Sequence, residues 1–279
     1  MRSGFVTLVG RPNVGKSTLL NALIGQKVSI VSDKPQTTRT QVRAVLNQPD
    51  AQLVFVDTPG IHKPVTALGE RLNATAVDAL ADIDVVCLVL DATQTFGRGD
   101  RFVAQRLPPE RTVVVVNKTD RASRDKVLAQ LAAAAELGAS AYFPVSATTG
   151  AGVDALRQHL LDALPEGPRY FPEDTVSDVP EAVWVAELVR EQLLEATHHE
   201  LPYSIATQVT EWEWPRVRVE IVVERESQKG MVIGKGGALL KAVGTAARAQ
   251  LPEGVFLELH VTVDKDWQRR PDRIIRLGY

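Results

Sequence analysis

Gly10-Arg11-Pro12-Asn13-Val14-Gly15-Lys16-Ser17 fits the pattern Gly-x-x-x-x-Gly-Lys-Ser/Thr, between a β-branched apolar run at 5–9 and a helix-compatible stretch at 15–24. That setting is what the chemistry of the pattern requires. Glycines let backbone N–H groups close around phosphate oxygens at a helix start, the lysine supplies a point charge, and the serine hydroxyl can ligate Mg2+. Gly10, Asn13, Gly15, Lys16, Ser17 and Thr18 are therefore the candidate phosphate cradle. From average residue usage, an accidental match in a chain of this length is about a one-in-a-hundred event.

Working outward, further apolar runs at 53–56, 85–90, 112–116 and 141–145 read as buried strands. Helix-like stretches at 67–80, 98–106, 123–137 and 153–164 alternate with them. Residues 41–47 run into 53–56 through Gln48-Pro49-Asp50, too short a link for a parallel crossover, so that pair should be a hairpin. The expectation is a doubly wound α/β domain with a mostly parallel six-stranded sheet. Pro168, Pro172 and Pro180 then punctuate a polar stretch without periodicity. Beyond it the pattern becomes a helix at 181–198, strands at 205–211 and 217–224, a glycine-interrupted helical stretch, and a strand at 255–263. The domains are expected at 1–166 and 181–279, with a linker at 167–180, the second being a smaller α+β unit.

Composition narrows the function classes. With 279 residues and a net charge of −2, the chain lacks the overall basic surface of a non-specific nucleic-acid coat, so any nucleic-acid site must be local. The single Cys87 sits inside an apolar run and reads as a buried core thiol, which fits a reducing, cytoplasmic location. The N-terminus shows no signal-like segment, and no apolar run reaches membrane-spanning length.

Three further motifs end strands. Asp57-Thr58-Pro59-Gly60 offers a carboxylate for Mg2+ and a Gly60 amide that can sense a terminal phosphate. Asn117-Lys118-Thr119-Asp120 emerges at the carboxyl edge of its strand, where α/β folds bind ligands. A carboxylate at Asp120 can accept from the N1–H and exocyclic amine of guanine, which adenine cannot satisfy. Ser146-Ala147-Thr148 would add a backbone N–H to guanine O6.

In this order the four motifs resemble the translation-factor-type GTPases over residues 4–164. The resemblance implies GTP as substrate, GDP as product and Mg2+ as cofactor, held by Ser17, Thr38 and Asp57, with Thr37 as the alternative to Thr38. It also implies Lys16, Thr38 and Gly60 as the groups around the transferring phosphoryl. The chain departs from Ras-like members in placing Ile61 where they carry a water-orienting glutamine, so intrinsic turnover should be slow. Some members with an apolar residue there use potassium near a loop asparagine, here Asn13, which could equally cap the loop. His62 reads as a solvated loop side chain, and no residue stands out as a general base.

In the second domain, Gly234-Lys235-Gly236-Gly237 lies between helix-compatible stretches at 227–232 and 238–249. Preceded by helix, strand and strand and followed by a strand, this tetrad resembles the clamp of type II KH domains. Residues 181–226 hold 4 Lys+Arg against 10 Asp+Glu, whereas 227–279 hold 9 against 5, so the charge changes sign at the tetrad. The candidate RNA face is Lys229, Ile233, Gly234, Lys235, Gly236, Gly237, Lys241 and Arg248.

Such a GTPase domain joined to a KH domain, with Gln36-Thr37-Thr38-Arg39 in the first switch loop and the ending Arg276-Leu277-Gly278-Tyr279, resembles the Era family of bacterial GTPases. The resemblance implies binding near the 3′ end of 16S rRNA, a role in 30S subunit assembly and rRNA processing, and a monomer. For some members it implies peripheral association with the inner face of the cell membrane. Rival readings are a GTP-regulated RNA-binding module, or a related GTPase acting in tRNA modification or at the membrane.

Overall fold

The computed structural model describes all residues except 35, 36, 40, 58–65, 79–82 and 198–200, and it describes 73–78 by backbone alone. The chain divides into two compact units. One comprises Met1–Ser29, Thr38–Lys63 and Leu72–Asp178, the other Ile30–Thr37, Pro64–Arg71 and Val179–Tyr279.

In the first unit, β1 (Arg2–Val9), β2 (Val42–Gln48), β3 (Ala51–Asp57), β4 (Val85–Asp91), β5 (Thr112–Asn117) and β6 (Ala141–Pro144) form one sheet in the order β2-β3-β1-β4-β5-β6. Only the β2–β3 pair is antiparallel, joined by the two-residue turn Pro49-Asp50, as the short link predicts. The apolar runs are continuous because the sheet is buried on both faces. In β4, Val85, Cys87 and Val89 join a core with Leu19, Leu20 and Leu23 of α1 (Lys16–Ile24) and Leu156 and Leu160 of a later helix (Val153–Ala163). Val86, Leu88 and Leu90 face a second core, with Val103 of the helix Arg98–Ala104 and Ala134 of the helix Arg124–Ala135. Burial pushes the Cys87 thiol up to about 12, so it is a core group and not a nucleophile.

The proline-rich stretch after this sheet is held along it. The Gln52 side chain accepts from the N–H groups of Tyr170 and Phe171 and donates to the Phe171 carbonyl. The Val45 N–H bonds to Val176 O, and Asp178 N–H to Arg43 O. Residues up to Asp178 thus belong to the first unit.

In the second unit, β7 (Ala206–Glu213), β8 (Arg216–Val223) and β9 (Phe256–Val263) lie in that order, β7–β8 antiparallel and β8–β9 parallel. Strict alternation in β8 puts Val217, Val219, Ile221 and Val223 in the core, while Arg216 and Arg218 pair with Glu258 and Glu211 on the other face. The core face is covered by the helix Glu181–Ala196 with Val185, Val189 and Leu193, the helix Glu226–Ile233 with Val232, and the helix Ala238–Arg248 with Val243 and Ala247. The basic tail is anchored: Trp267 is fully buried, donates Nε1–H to Ser204 O at 3.0 Å, and stacks on Tyr279 with centroids 6.0 Å apart.

Candidate nucleotide and nucleic-acid sites

The phosphate loop occupies the β1-to-α1 turn. Its form depends on glycine at two points: a Cβ at Gly10 would lie 2.4 Å from the Val89 carbonyl, and one at Gly15 2.4 Å from the Asn117 amide. Lys16 is buried, its ammonium donating to the carbonyls of Gly10 at 3.2 Å and Arg11 at 3.1 Å. Burial lowers its pKa to about 8, against the opposing pull of Asp57.

Four oxygen-bearing residues converge beside it. Ser17 Oγ lies 3.1 Å from Thr38 Oγ1, Thr38 Oγ1 donates to Asp57 Oδ2 at 3.4 Å, and Ser29 Oγ donates to the same oxygen at 3.1 Å. Thr37 Oγ1 instead donates to the Lys34 carbonyl. Asp57 is buried, which raises its pKa even though Lys16 and the three hydroxyls pull it down. Its Oδ1 is buried and has no hydrogen-bond partner in the protein among the described residues. An orphaned carboxylate oxygen beside two hydroxyls is a hard donor set of the kind Mg2+ takes. Gly60, Ile61 and His62 lie outside the described residues.

At the carboxyl ends of β5 and β6 the base-reading groups meet. Asn117 donates to Val14 O at 3.0 Å and accepts from Ala147 N–H at 3.1 Å, so one side chain ties the phosphate loop to the loop after β6. Lys118, at φ 65°, donates to Asn13 O at 2.5 Å and Asp91 Oδ2 at 2.7 Å. Asp120 accepts from Ser146 Oγ at 2.6 Å, which fixes its rotamer at the mouth of the site. Thr18 is half-buried in the first turn of α1.

Sequence reasoning missed Ser29, Asn21, Asp91 and Thr93. Asn21 holds Ser29 in place, its Oδ1 accepting from the N–H groups of Val28 and Ser29 and its Nδ2 donating to Ser29 O. Nothing in the sequence marks that pair. Asp91 had a signal: it ends an apolar strand, as Asp57 does.

In the second unit the tetrad forms a tight turn between two helices, with Gly234, Gly236 and Gly237 at φ 74°, 60° and 79°. A Cβ at Gly234 would press on Leu239 Cβ at 2.8 Å, whereas Gly236 and Gly237 face open space. Lys235, Lys241 and Arg248 are exposed, and Lys229 is half-buried. Ile233 packs partly against the core, and Met231, one turn of chain before the tetrad, is 59% exposed, an apolar group the sequence reading passed over.

A mostly parallel sheet with a glycine-lined phosphate loop, a guanine-type base loop and a separate helix–turn–helix clamp on a three-stranded sheet defines a P-loop GTPase domain joined to a KH domain. The family described as 50S ribosome-binding GTPase matches residues 5–118, and the KH domain family matches 200–268. "GTPase Era" of Mycobacterium avium (strain 104) is 48% identical over 296 residues, covering 100% of this chain and 99% of that protein. "GTPase Era" of Mycolicibacterium smegmatis is 46% identical over 295 residues, with the same coverage. Among solved structures, a variant of Aquifex aeolicus Era bound to GDP and AlF4− superposes with a TM-score of 0.95 at 39% identity, over 100% of this chain and 99% of that one. Era in complex with MgGDPNP and nucleotides 1506–1542 of 16S ribosomal RNA gives 0.96 at 39% identity, with the same coverage. The chain belongs to the Era GTPase family.

Proposed function

We propose that this GTPase binds GTP with Mg2+ at the phosphate and base loops, hydrolyses it slowly, and binds 16S rRNA near its 3′ end through the Gly234–Gly237 turn during 30S subunit assembly and rRNA processing. The observation that carries the nucleotide half is the meeting of Ser17, Thr38 and Asp57 beside the buried Lys16. Ser17, Thr38 and Asp57 would hold the Mg2+, which when bound neutralises charge on the phosphate oxygens. Lys16 adds its own charge there, and a phosphate oxygen would replace the loop carbonyls as its partner. Ser146 and Asn117 keep Asp120 and the Ala147 amide aimed at the base. The Gly60 amide would contact the terminal phosphate.

The RNA half is supported by the open, positive-φ turn with Lys235 exposed at its head, and by what the relative bound to 16S rRNA is. Lys229, Ile233, Lys241 and Arg248 would flank the bound strand. The proposal extends to a cytoplasmic monomer with peripheral attachment to the inner face of the membrane; no helix among the described residues is long and apolar enough to cross a bilayer. It also includes potassium beside Asn13, which turnover in KCl against NaCl tests: equal rates would remove it.

The deciding experiment is GTP turnover with and without a short RNA matching the 3′ end of 16S rRNA, in wild type and Gly236→Asp. Stimulation by RNA that the variant loses supports the whole reading. Equal turnover in all four cases leaves the GTPase standing and removes RNA as its effector.

A further inference from the structure

We propose that Asp91 is a positioning residue for guanine recognition: its carboxylate aims Lys118, and through Lys118 it sets the Asp120 loop. The inference rests on the nucleotide-site reading above. Asp91 ends β4 and is 4% exposed. Its two oxygens have separate partners. Oδ1 accepts from the Thr93 N–H at 2.9 Å and the Thr93 hydroxyl at 2.6 Å, which fixes the carboxylate plane. Oδ2 accepts from Lys118 Nζ at 2.7 Å.

The same ammonium donates to the Asn13 carbonyl. Among the described residues, Asn13 and Lys118 are two of the three non-glycine residues with positive φ, at 63° and 65°. Such a conformation is disfavoured for an L-residue, less for Asn than for Lys, so Lys118 above all needs contacts that hold it. One ammonium spans both strained residues, and Asp91 is the only carboxylate on it among the described contacts. Taken alone, burial would push Asp91 up, but the bonds from Lys118 and Thr93 hold it below the usual carboxylate range, so it stays a charged partner.

The link to the base is short. The turn Thr119–Arg121 starts directly from Lys118, and Asp120 lies within it. If Lys118 relaxes toward ordinary backbone geometry, the Asp120 carboxylate leaves the direction that Ser146 gives it. The contacts that suffer are then those to the N1–H and the exocyclic amine of guanine, more than the contacts to phosphate; IDP offers only the first of the two and so loses less. A residue with a merely structural role would weaken all nucleotides alike.

The test is binding of GDP and of IDP, which lacks that amine, to wild type, Asp91→Asn and Thr93→Val. Wild type should prefer GDP. Asp91→Asn should raise the GDP Kd about tenfold and the IDP Kd less than threefold, so that discrimination collapses. Thr93→Val, which keeps the charge and the backbone N–H bond but removes the hydroxyl bond that helps fix the carboxylate plane, should lower the GDP:IDP preference at least twofold and serves if Asp91→Asn does not fold. An unchanged preference in the folded variants, or equal losses for both nucleotides, overturns the proposal. A wild type indifferent between GDP and IDP would instead overturn the base-loop reading beneath it.

Discussion

The molecule uses one device twice. The phosphate loop and the Gly234–Gly237 turn are both glycine turns feeding a helix through a left-handed glycine, Gly15 at φ 93° and Gly237 at φ 79°. Their surroundings differ. The phosphate loop is walled by Val89 and Asn117, tied across by Asn117 and Lys118, and has a buried lysine at its centre. The second turn leaves Gly236 and Gly237 in open space and Lys235 exposed. The first suits a small anion held at fixed points, where preorganised charge does the chemistry. The second suits a long flexible polymer, whose affinity comes from screened surface charge and close backbone approach.

The contrast breaks first at Lys16. Lys16→Met should lower kcat/KM for GTP by about a thousandfold while leaving RNA affinity within twofold; steady-state turnover and RNA titration read the two. A fall in both would mean the two loops are not the independent devices described. The same lysine gives the next largest effect, on stability without nucleotide. Its folded pKa, about 8, is below the ordinary 10.5, so between those values the unfolded chain binds more protons and stability rises with pH. Below pH 8 the full cost of a buried ammonium is present. Urea unfolding at pH 7 and pH 10 should show wild type gaining on Lys16→Met by about 2–3 kcal/mol.

Paired glycine substitutions sharpen the comparison. Gly10→Ala drives a Cβ against the Val89 carbonyl, a backbone group that cannot rotate away, and should destabilise by about 2–3 kcal/mol. Gly236→Ala meets no atom and bears only the left-handed backbone, about 1 kcal/mol. Equal losses in urea midpoint would show that the wall around the phosphate loop is not what constrains it.

How much of this was legible beforehand follows from range. The strand–loop–helix setting of Lys16, the β2–β3 hairpin, the strand-end Asp57 and the Asn117–Asp120 motif that follows β5 are local patterns, and the sequence carries them in full. The Gly234–Gly237 turn was legible only with its flanking helices and strands, because the tetrad alone is common. What stayed hidden depends on contacts far apart in the chain: Asn117 on Val14, Lys118 on Asp91, Gln52 on Phe171. The proline-rich stretch reads as a linker because its hold on the sheet is made of backbone groups and scattered side chains, Gln52, Asn47, Asp178 and Tyr170 among them, which leave no periodicity. The tail beyond Lys265 carries charge for a surface and Trp267 for a core, and only tertiary packing decides between them.

The smallest expected effect discriminates best. Lys235 stands exposed at the head of the second turn, with no ion pair among the described contacts, so its contribution to RNA binding should be the release of about one counterion. Lys235→Ala should lower affinity for a single-stranded RNA only a few-fold near 0.1 M salt, while reducing the slope of log K against log salt by about 0.7–1. Nucleotide affinity should not move, because Lys16, unlike Lys235, works from a buried position that salt screens far less. If the slope is unchanged while affinity falls, Lys235 acts through the shape of the turn instead of through phosphate. The two glycine turns would then resemble each other more closely than their charges suggest, each owing its ligand chiefly to backbone geometry.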